Sequence, residues 1–341
     1  MTGAISGTQG AYIFGCAGEK LLPEEAAFFA ETNPWGFILF ARNIDNPDQL
    51  RRLTNDLRTS VGRDALITID QEGGRVERLT PPQWRHWMPP LDQIKENPAA
   101  AARSMYLRYR IIADELRDIG VDSNCAPCAD VATAQTHPFL YNRCYGEDAY
   151  TVALVGRAVA DGLLDGGVLP VLKHIPGHGR AGTDSHLELP RVSAKRADLM
   201  ASDFAAMKAL SDLPLGMSAH VVYEDIDPSD CATTSSAMTR VVREDIGFDG
   251  VLMTDDISMN ALNGDMIERT RASMAAGMDM ILHCNSEMSE MQQVAQQAGA
   301  LTPAAQARAD AALNMRISPD NIDISALEAE LASLLIGHSD E

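Results

Sequence analysis

DAYTVALVGRAVADGLLDGGVLPVLKH (Asp148–His174) joins one helical pattern to one strand-like run and carries the decision about the fold. Val152, Val155, Val159 and Leu163 recur at helical spacing, Asp148 stands where a helix cap belongs, and Gly166-Gly167 ends the pattern. A short apolar run follows and finishes abruptly on Lys173-His174. The same alternation repeats outward in both directions. Strand-like runs are AYIFGC, GFILFA, ALITID, VDSNCAP, VLPVLKH, LPLGMSAH, VLMTDD and MDMILHC, and amphipathic segments such as NPDQLRRLTNDLRTSVG, SMYLRYRIIADELRDIG and SAKRADLMASDFAAMKALSD lie between them. No two-residue hairpin signal joins successive strands, so parallel pairing is expected. Eight strand–helix units predict an α/β fold, a single-domain (β/α)8 TIM-type barrel, a fold of about 250 residues or more. A doubly wound open sheet is the competitor, but the first strand is not followed by a glycine-rich phosphate fingerprint. One catalytic domain is expected over residues 1–341. The helical segments after MDMILHC complete the outer ring and add a terminal extension at about 303–341.

Bulk composition narrows the function. The chain has 341 residues, 45% hydrophobic and 22% charged, with 28 Lys and Arg against 48 Asp and Glu and a formal net charge of −20. That field repels polyanions, and aromatics at 5% leave little for base-stacking platforms, so nucleic acid is not an expected partner. No apolar run approaches the roughly 18 residues that span a bilayer. The N-terminal MTGAISGTQGAYIFGCAG lacks the basic and long apolar regions of an export signal, so no membrane association and a cytoplasmic location are expected. Six cysteines fit reduced, buried thiols. Cys125-Ala-Pro-Cys128 has redox or zinc-knuckle spacing without the second pair that would make a zinc site.

A barrel carries its chemistry at the C-terminal ends of its strands. Here those ends read Asp70, then Asp122 and Asn124, Lys173-His174, His220, Asp255-Asp256, and His283 with Asn285. So many polar endings predict a pocket at one rim. The connection after the fifth strand, Ile175 to about Arg191, exceeds the roughly 2–6 residues of an ordinary βα loop. KHIPGHGRAGTDSH (Lys173–His186) holds three of the eight histidines. Pro176 and Gly177 deny His174 and His178 the helical geometry of a zinc pair. A metal-dependent amidohydrolase with His174, His178, Asp184 and His186 as ligands remains one reading. In the other, Asp184 and His186 share a face of an extended segment, and the carboxylate fixes and raises the imidazole as a general acid/base.

ITIDQEGGRVERL, RCYGED, KHIPGHGRAGTDSHLELP and GFDGVLMTDDISM together resemble glycoside hydrolase family 3, in order from about Ala11 to Asn285, and most closely its single-domain bacterial β-N-acetylglucosaminidase branch of peptidoglycan recycling. The resemblance implies a retaining two-step mechanism. Asp255 is its nucleophile, His186 its general acid/base, and Asp184 orients and tunes His186. It assigns sugar binding to Asp70, Arg78, Arg143, Lys173 and His174, and it implies no cofactor and no metal. The expected partner is a small carbohydrate, a GlcNAc-containing muropeptide, with no obligate protein partner. Strand alternation predicts that only one of Asp255 and Asp256 enters the pocket, leaving Asp256 to cap the next helix. Arg78 and Arg143 also have an internal alternative, ion pairs to Glu72 or Glu147. His178 is expected to hold the loop, whose glycines would let it swing the Asp184–His186 dyad over the sugar, and Cys144 to expose a thiol in the pocket. A phosphorylase with the same nucleophile and histidine is the alternative activity.

Overall fold

Eight parallel strands close on themselves in the computed structural model, which describes residues 8–183 and 188–336. In chain order they are Gly10–Gly15, Pro34–Leu39, Leu66–Ile69, Ser123–Asn124, Leu169–Ile175, Leu215–Ser218, Val251–Asp256 and Met280–His283. Each pairs with its neighbours, and the first pairs with the last through Tyr12↔Ile281 and Phe14↔His283. Every strand falls within or across a run read from the sequence. The fourth is the shortest, and Pro127 beyond it has no N–H to give; there Val171 and Lys173 donate to the Ala126 and Pro127 carbonyls at 2.8 and 3.0 Å, while the Cys125 amide still donates to the Ile69 carbonyl at 2.9 Å.

Alternation sorts the side chains. Ala11 and Ile13 of the first strand join Trp35, Leu66, Val171, Leu215, Val251 and Met280 inside the barrel, while Tyr12 and Phe14 point outward into the layer between strands and helices. The helix of the opening stretch forms over Ala149–Asp165, and the Asp148 side chain accepts from the Thr151 amide at 2.9 Å.

Three features depart from the expected arrangement. Helix Pro303–Asn314, read as the start of a terminal extension, lies against the barrel instead. Its Ala305, Ala309 and Ala312 pack with the barrel's inner residues and close the floor, where only small side chains let a helix approach the strand ends. Ile324–Ile336 is the peripheral helix, clamped to Ala101–Asp118 by the Arg103–Glu330 ion pair and to the segment before it by Asn97 donating to the Leu334 carbonyl. A two-stranded parallel sheet, Arg191–Val192 with Val222–Tyr223, lies outside the barrel and ties the far end of the long loop to the segment after the sixth strand. Asp122 precedes the fourth strand instead of ending it. It is buried at the base, where it accepts from the Ile67 amide at 2.8 Å and pairs with Arg58 and Arg316. Among the described residues no helix is long and apolar enough to cross a membrane.

Candidate active site

The open rim of the barrel holds a pocket of about 770 Å³, its solvent-filled mouth included. Asp70, Arg78, Arg143, Lys173, His174 and Asp255 all line it, so the structure brings together the described residues to which the resemblance assigned catalysis and sugar binding. Asp184 and His186 lie outside the described residues.

Asp70 follows the third strand, and the chain turns back at once because Gln71 braces it. The Gln71 side chain accepts from the Arg78 and Leu79 amides at 2.9 and 3.0 Å, and its backbone exchanges two hydrogen bonds with the Asn124 side chain. Asn124 is therefore a brace behind the pocket. This turn carries Arg78 back over Asp70, at 3.1 Å. Lys173, two residues before the end of the fifth strand, reaches Asp70 at 3.1 Å and Glu72 at 2.6 Å. Arg143, after the short helix Pro138–Tyr141, grips Glu72 with two hydrogen bonds of 2.9 Å. The internal pairing foreseen for Arg143 is thus real and coexists with its place in the pocket wall; Arg78 pairs with Asp70 instead of Glu72.

Burying this many charges is tolerable only because each is paired. Burial alone would raise the Asp70 carboxyl, but Lys173 and Arg78 hold it well below the usual carboxylate range. Glu72 behaves alike: burial opposes ionisation, yet Arg143 and Lys173 bring it down to about 2. Lys173 is correspondingly pushed above the ordinary lysine range by Glu72 and Asp70, against the effect of burial. Both carboxylates are therefore fixed anions, and the wall presents oriented, charged hydrogen-bonding groups to a polar ligand.

Asp255, the last residue but one of the seventh strand, lies in the pocket and accepts from the Asp256 amide at 2.8 Å. Burial raises its carboxyl, and the imidazoles of His174 and His220, the Asp256 amide and Lys173 more than offset that, so it is an anion at neutral pH. Asp256 lines the pocket as well, contrary to strict alternation. Its oxygens are occupied by the Ser258 amide and hydroxyl, at 3.1 and 2.6 Å, and by the Cys284 amide at 3.2 Å. It caps a turn and not a helix; the next helix starts at Met266 and has Asp265 as its cap.

Other nominated residues resolve differently. His220 is buried behind the pocket, with Nε2 donating to the Asp256 carbonyl at 3.1 Å and Nδ1 facing Thr233. His283 contacts Glu290 at 3.0 Å, and Asn285 donates to the same carboxylate, which leaves both outside the pocket lining. Cys144 is buried and its thiol faces the Leu140 carbonyl; the thiol on the pocket wall is Cys284. Cys125 sits against Thr68 in the barrel interior and Cys128 against Asp130, so the two do not act as a pair.

The long loop is rooted firmly. Gly177 has φ +141°, and a Cβ there would meet Asp203, while a Cβ on Gly179 would collide with the Val131 backbone. These glycines allow close packing at the root of the loop. His178 is buried on the pocket wall, and burial pushes its imidazole down to about 4, leaving it neutral. Its amide donates to Asp130 at 2.6 Å and its carbonyl accepts from the Ala181 amide at 3.0 Å. Among the described residues the group of three with metal-ligand spacing is Cys128, Asp130 and His174, a different set from the cage read in the sequence. Its atoms already satisfy one another: His174 Nδ1 lies 2.7 Å from Asp130, and the Cys128 thiol donates to the same carboxylate at 3.4 Å.

Glu72 and Asp130 are the main residues that sequence reasoning left without a role at the site. Glu72 stood in the DQEGGR motif as a mere pairing partner; Asp130 follows CAPC at the end of the fourth strand run, a position the same rim rule would have found.

The model of the glycosyl hydrolase family 3 N-terminal domain matches residues 18–317. The chain is 34% identical over 277 residues to the β-hexosaminidase of Bordetella avium, covering 79% of each chain, and 35% identical over 282 residues to that of Alkalilimnicola ehrlichii, covering 81% of each. Among solved structures, NagZ from Neisseria gonorrhoeae in complex with N-trifluoroacetyl-D-glucosamine superposes with a TM-score of 0.84 at 29% identity, over 96% of this chain and 97% of that one. A family 3 β-N-acetylglucosaminidase from Paenibacillus sp. strain FPU-7 gives 0.83 at 27% identity, over 95% of this chain and 67% of that one.

Proposed function

The chain belongs to glycosyl hydrolase family 3, and from that premise we propose that it is a retaining exo-β-N-acetylglucosaminidase that removes non-reducing terminal GlcNAc from β-1,4-linked peptidoglycan fragments. It is a glycoside hydrolase of β-N-acetylhexosaminidase type. The observation that carries the finer reading is the division of labour among the pocket carboxylates. Asp255 is the ionised group whose oxygens meet no cation within pairing distance among the described residues, whereas Asp70 is tied to two cations and Asp256 to a turn.

In the proposed mechanism Asp70, Arg78, Arg143, Lys173 and His174 hold the terminal sugar through its hydroxyls. Asp255 attacks the anomeric carbon from the face opposite the departing oxygen and forms a covalent glycosyl-enzyme. A proton must reach the leaving oxygen, and neither Asp70 nor Glu72 can hold one near neutral pH. That supports His186, tuned by Asp184, as the acid in the first step and as the base toward water in the second. Water is favoured over phosphate as acceptor because Arg78, Arg143 and Lys173 each already pair with a carboxylate. The proposed setting is the cytoplasm, with muropeptides as the small carbohydrate partners, one catalytic domain and no cofactor.

The test is release of 4-nitrophenol from 4-nitrophenyl β-GlcNAc before and after dialysis against EDTA, with Asp255→Ala and His186→Ala alongside. Turnover unaffected by EDTA and a kcat lowered by at least about a thousandfold in Asp255→Ala are expected. Activity lost on chelation and restored by zinc would replace this mechanism with a metal-dependent one. GlcNAc-1-phosphate as the product in phosphate buffer would make the enzyme a phosphorylase.

A further inference from the structure

Asp130 is buried beyond solvent reach and touches four groups at once. Oδ2 lies 2.7 Å from His174 Nδ1 and accepts from the Cys128 thiol at 3.4 Å. Oδ1 accepts from the His178 amide at 2.6 Å and the His174 amide at 3.3 Å. One oxygen thus serves the imidazole that lines the pocket, and the other serves the two backbone amides that bracket the Ile175–Gly177 turn, where the long loop leaves the fifth strand.

We infer that Asp130 is a positioning residue that sets the tautomer of His174 and fixes the root of the loop to the same point, so that sugar contact and loop placement share one register. The inference rests on the proposed roles of His174 and of the loop's dyad.

The chemistry follows from hydrogen-bond direction. A carboxylate only accepts, so His174 must carry its proton on Nδ1, and Nε2 on the opposite edge of the ring is the atom left for the sugar. The carboxylate is an obligate anion: burial would raise it, but His174, His178 and the His178 amide keep it well below the usual range. Its backbone contacts act on a segment fixed from the other sides too. Tyr223 donates its hydroxyl to the Gly177 carbonyl, Thr136 donates to that of Gly179, the His137 amide donates to that of Ala181 at 3.2 Å, and Arg180 pairs with Asp203 at 2.6 Å. Of these anchors, Asp130 is the one that also grips a pocket imidazole. A slack root would misplace the acid/base relative to the bond it serves, and misplacement on the scale of 1 Å costs on the order of 100-fold in rate.

Asp130→Asn separates the two arms. Its amide oxygen can still accept from the His178 and His174 amides, while its NH₂ turned toward His174 forces Nδ1 to become an acceptor and moves the proton to Nε2. With ¹⁵N-histidine labelling, and His174→Ala to assign the signal, wild-type His174 is expected to show a protonated Nδ1. Asp130→Asn is expected to show an unprotonated one, with kcat/KM on 4-nitrophenyl β-GlcNAc lowered by about 10–100-fold, the range typical of residues that orient another ligand. In the His174→Ala background the same change should cost far less, because the imidazole arm is already gone. An unprotonated Nδ1 in the wild-type protein, which needs no variant to fold, would overturn the inference. Unchanged kinetics and spectrum in a folded Asp130→Asn would do the same. An active Asp255→Ala would sink the proposed function itself, and a dead Asp255→Ala beside a wild-type-like Asp130→Asn would sink only the role of Asp130.

Discussion

The two ends of this barrel are built from the same residue types and do opposite things. At the base, Asp122 is held by Arg58 and Arg316, and Asp279 by Arg243 and Arg308. At the rim, Asp70 and Glu72 are held by Arg78, Arg143 and Lys173. The difference lies in the remaining contacts. Each base carboxylate also accepts from the amide of a barrel strand, Ile67 for Asp122 and Leu252 for Asp279, and the floor helix Pro303–Asn314 covers that end. The rim set keeps one side turned to an open cavity. A charge cluster signals a ligand site when its geometry leaves hydrogen-bonding capacity facing solvent, and a joint when strands and helices consume it.

That contrast can be broken experimentally. Its largest expected consequence is in Glu72→Gln, which leaves Lys173 and Arg143 sharing a neutral partner. Removing one member of a buried pair costs about 3–5 kcal/mol, so both thermal stability and kcat/KM should fall sharply. Urea melts and steady-state kinetics on the same preparation measure the two. Asp70→Asn comes next, with kcat/KM lowered by about 10²–10³-fold if its charged contacts strengthen in the transition state, but with a far smaller stability loss because its carboxylate is partly solvated. Asp122→Asn should invert that pattern, costing about 3 kcal/mol of stability while leaving kcat per folded molecule unchanged. A catalytic defect there would erase the distinction between the two ends.

Acid sharpens the same point. Glu72 sits at about 2 in the folded protein and near 4.5 when free, so its stabilisation is fully present above about pH 4.5 and disappears as pH falls through about 2. That window is worth about 3 kcal/mol, and acid unfolding of Glu72→Gln should show a correspondingly shallower slope. The smallest effect concerns Cys284. Burial pushes its thiol well above the ordinary range, with Asp256 and Asp70 adding to it, so iodoacetamide at neutral pH should leave activity nearly intact despite the residue's place on the wall. Rapid inactivation, prevented by GlcNAc, would show a reactive thiolate instead.

Most of the barrel was legible because each strand is a short apolar run with an abrupt polar end, and that pattern survives without any partner. The errors arise where one residue of offset matters. Asp122 and Asn124 look equivalent in VDSNCAP, yet the strand begins at Ser123, which puts the first at the base and makes the second a brace for Gln71. His283 and Cys284 exchange roles for the same reason: the last residue of the eighth strand turns to Glu290, and the next one meets the pocket. The pocket residues were readable from motifs, since Asp70, Arg78, Arg143, Lys173 and His174 converge as expected. What supports them was not. Glu72 and Asp130 act through partners 71 and 44 residues away in the chain, and local patterning carries no trace of such pairings.

The floor helix has one more consequence, for the order in which the chain becomes a protein. The first strand is flanked by the second and the eighth, and its entrance is sealed late: the Ala11 amide donates to the Gly299 carbonyl, and the Leu301 amide donates to that of Gln9. During synthesis the earliest strand therefore waits with one edge unpaired until residues 280–314 have left the ribosome. Throughout that interval the nascent chain carries an open sheet edge and an uncovered apolar interior, a state prone to aggregation.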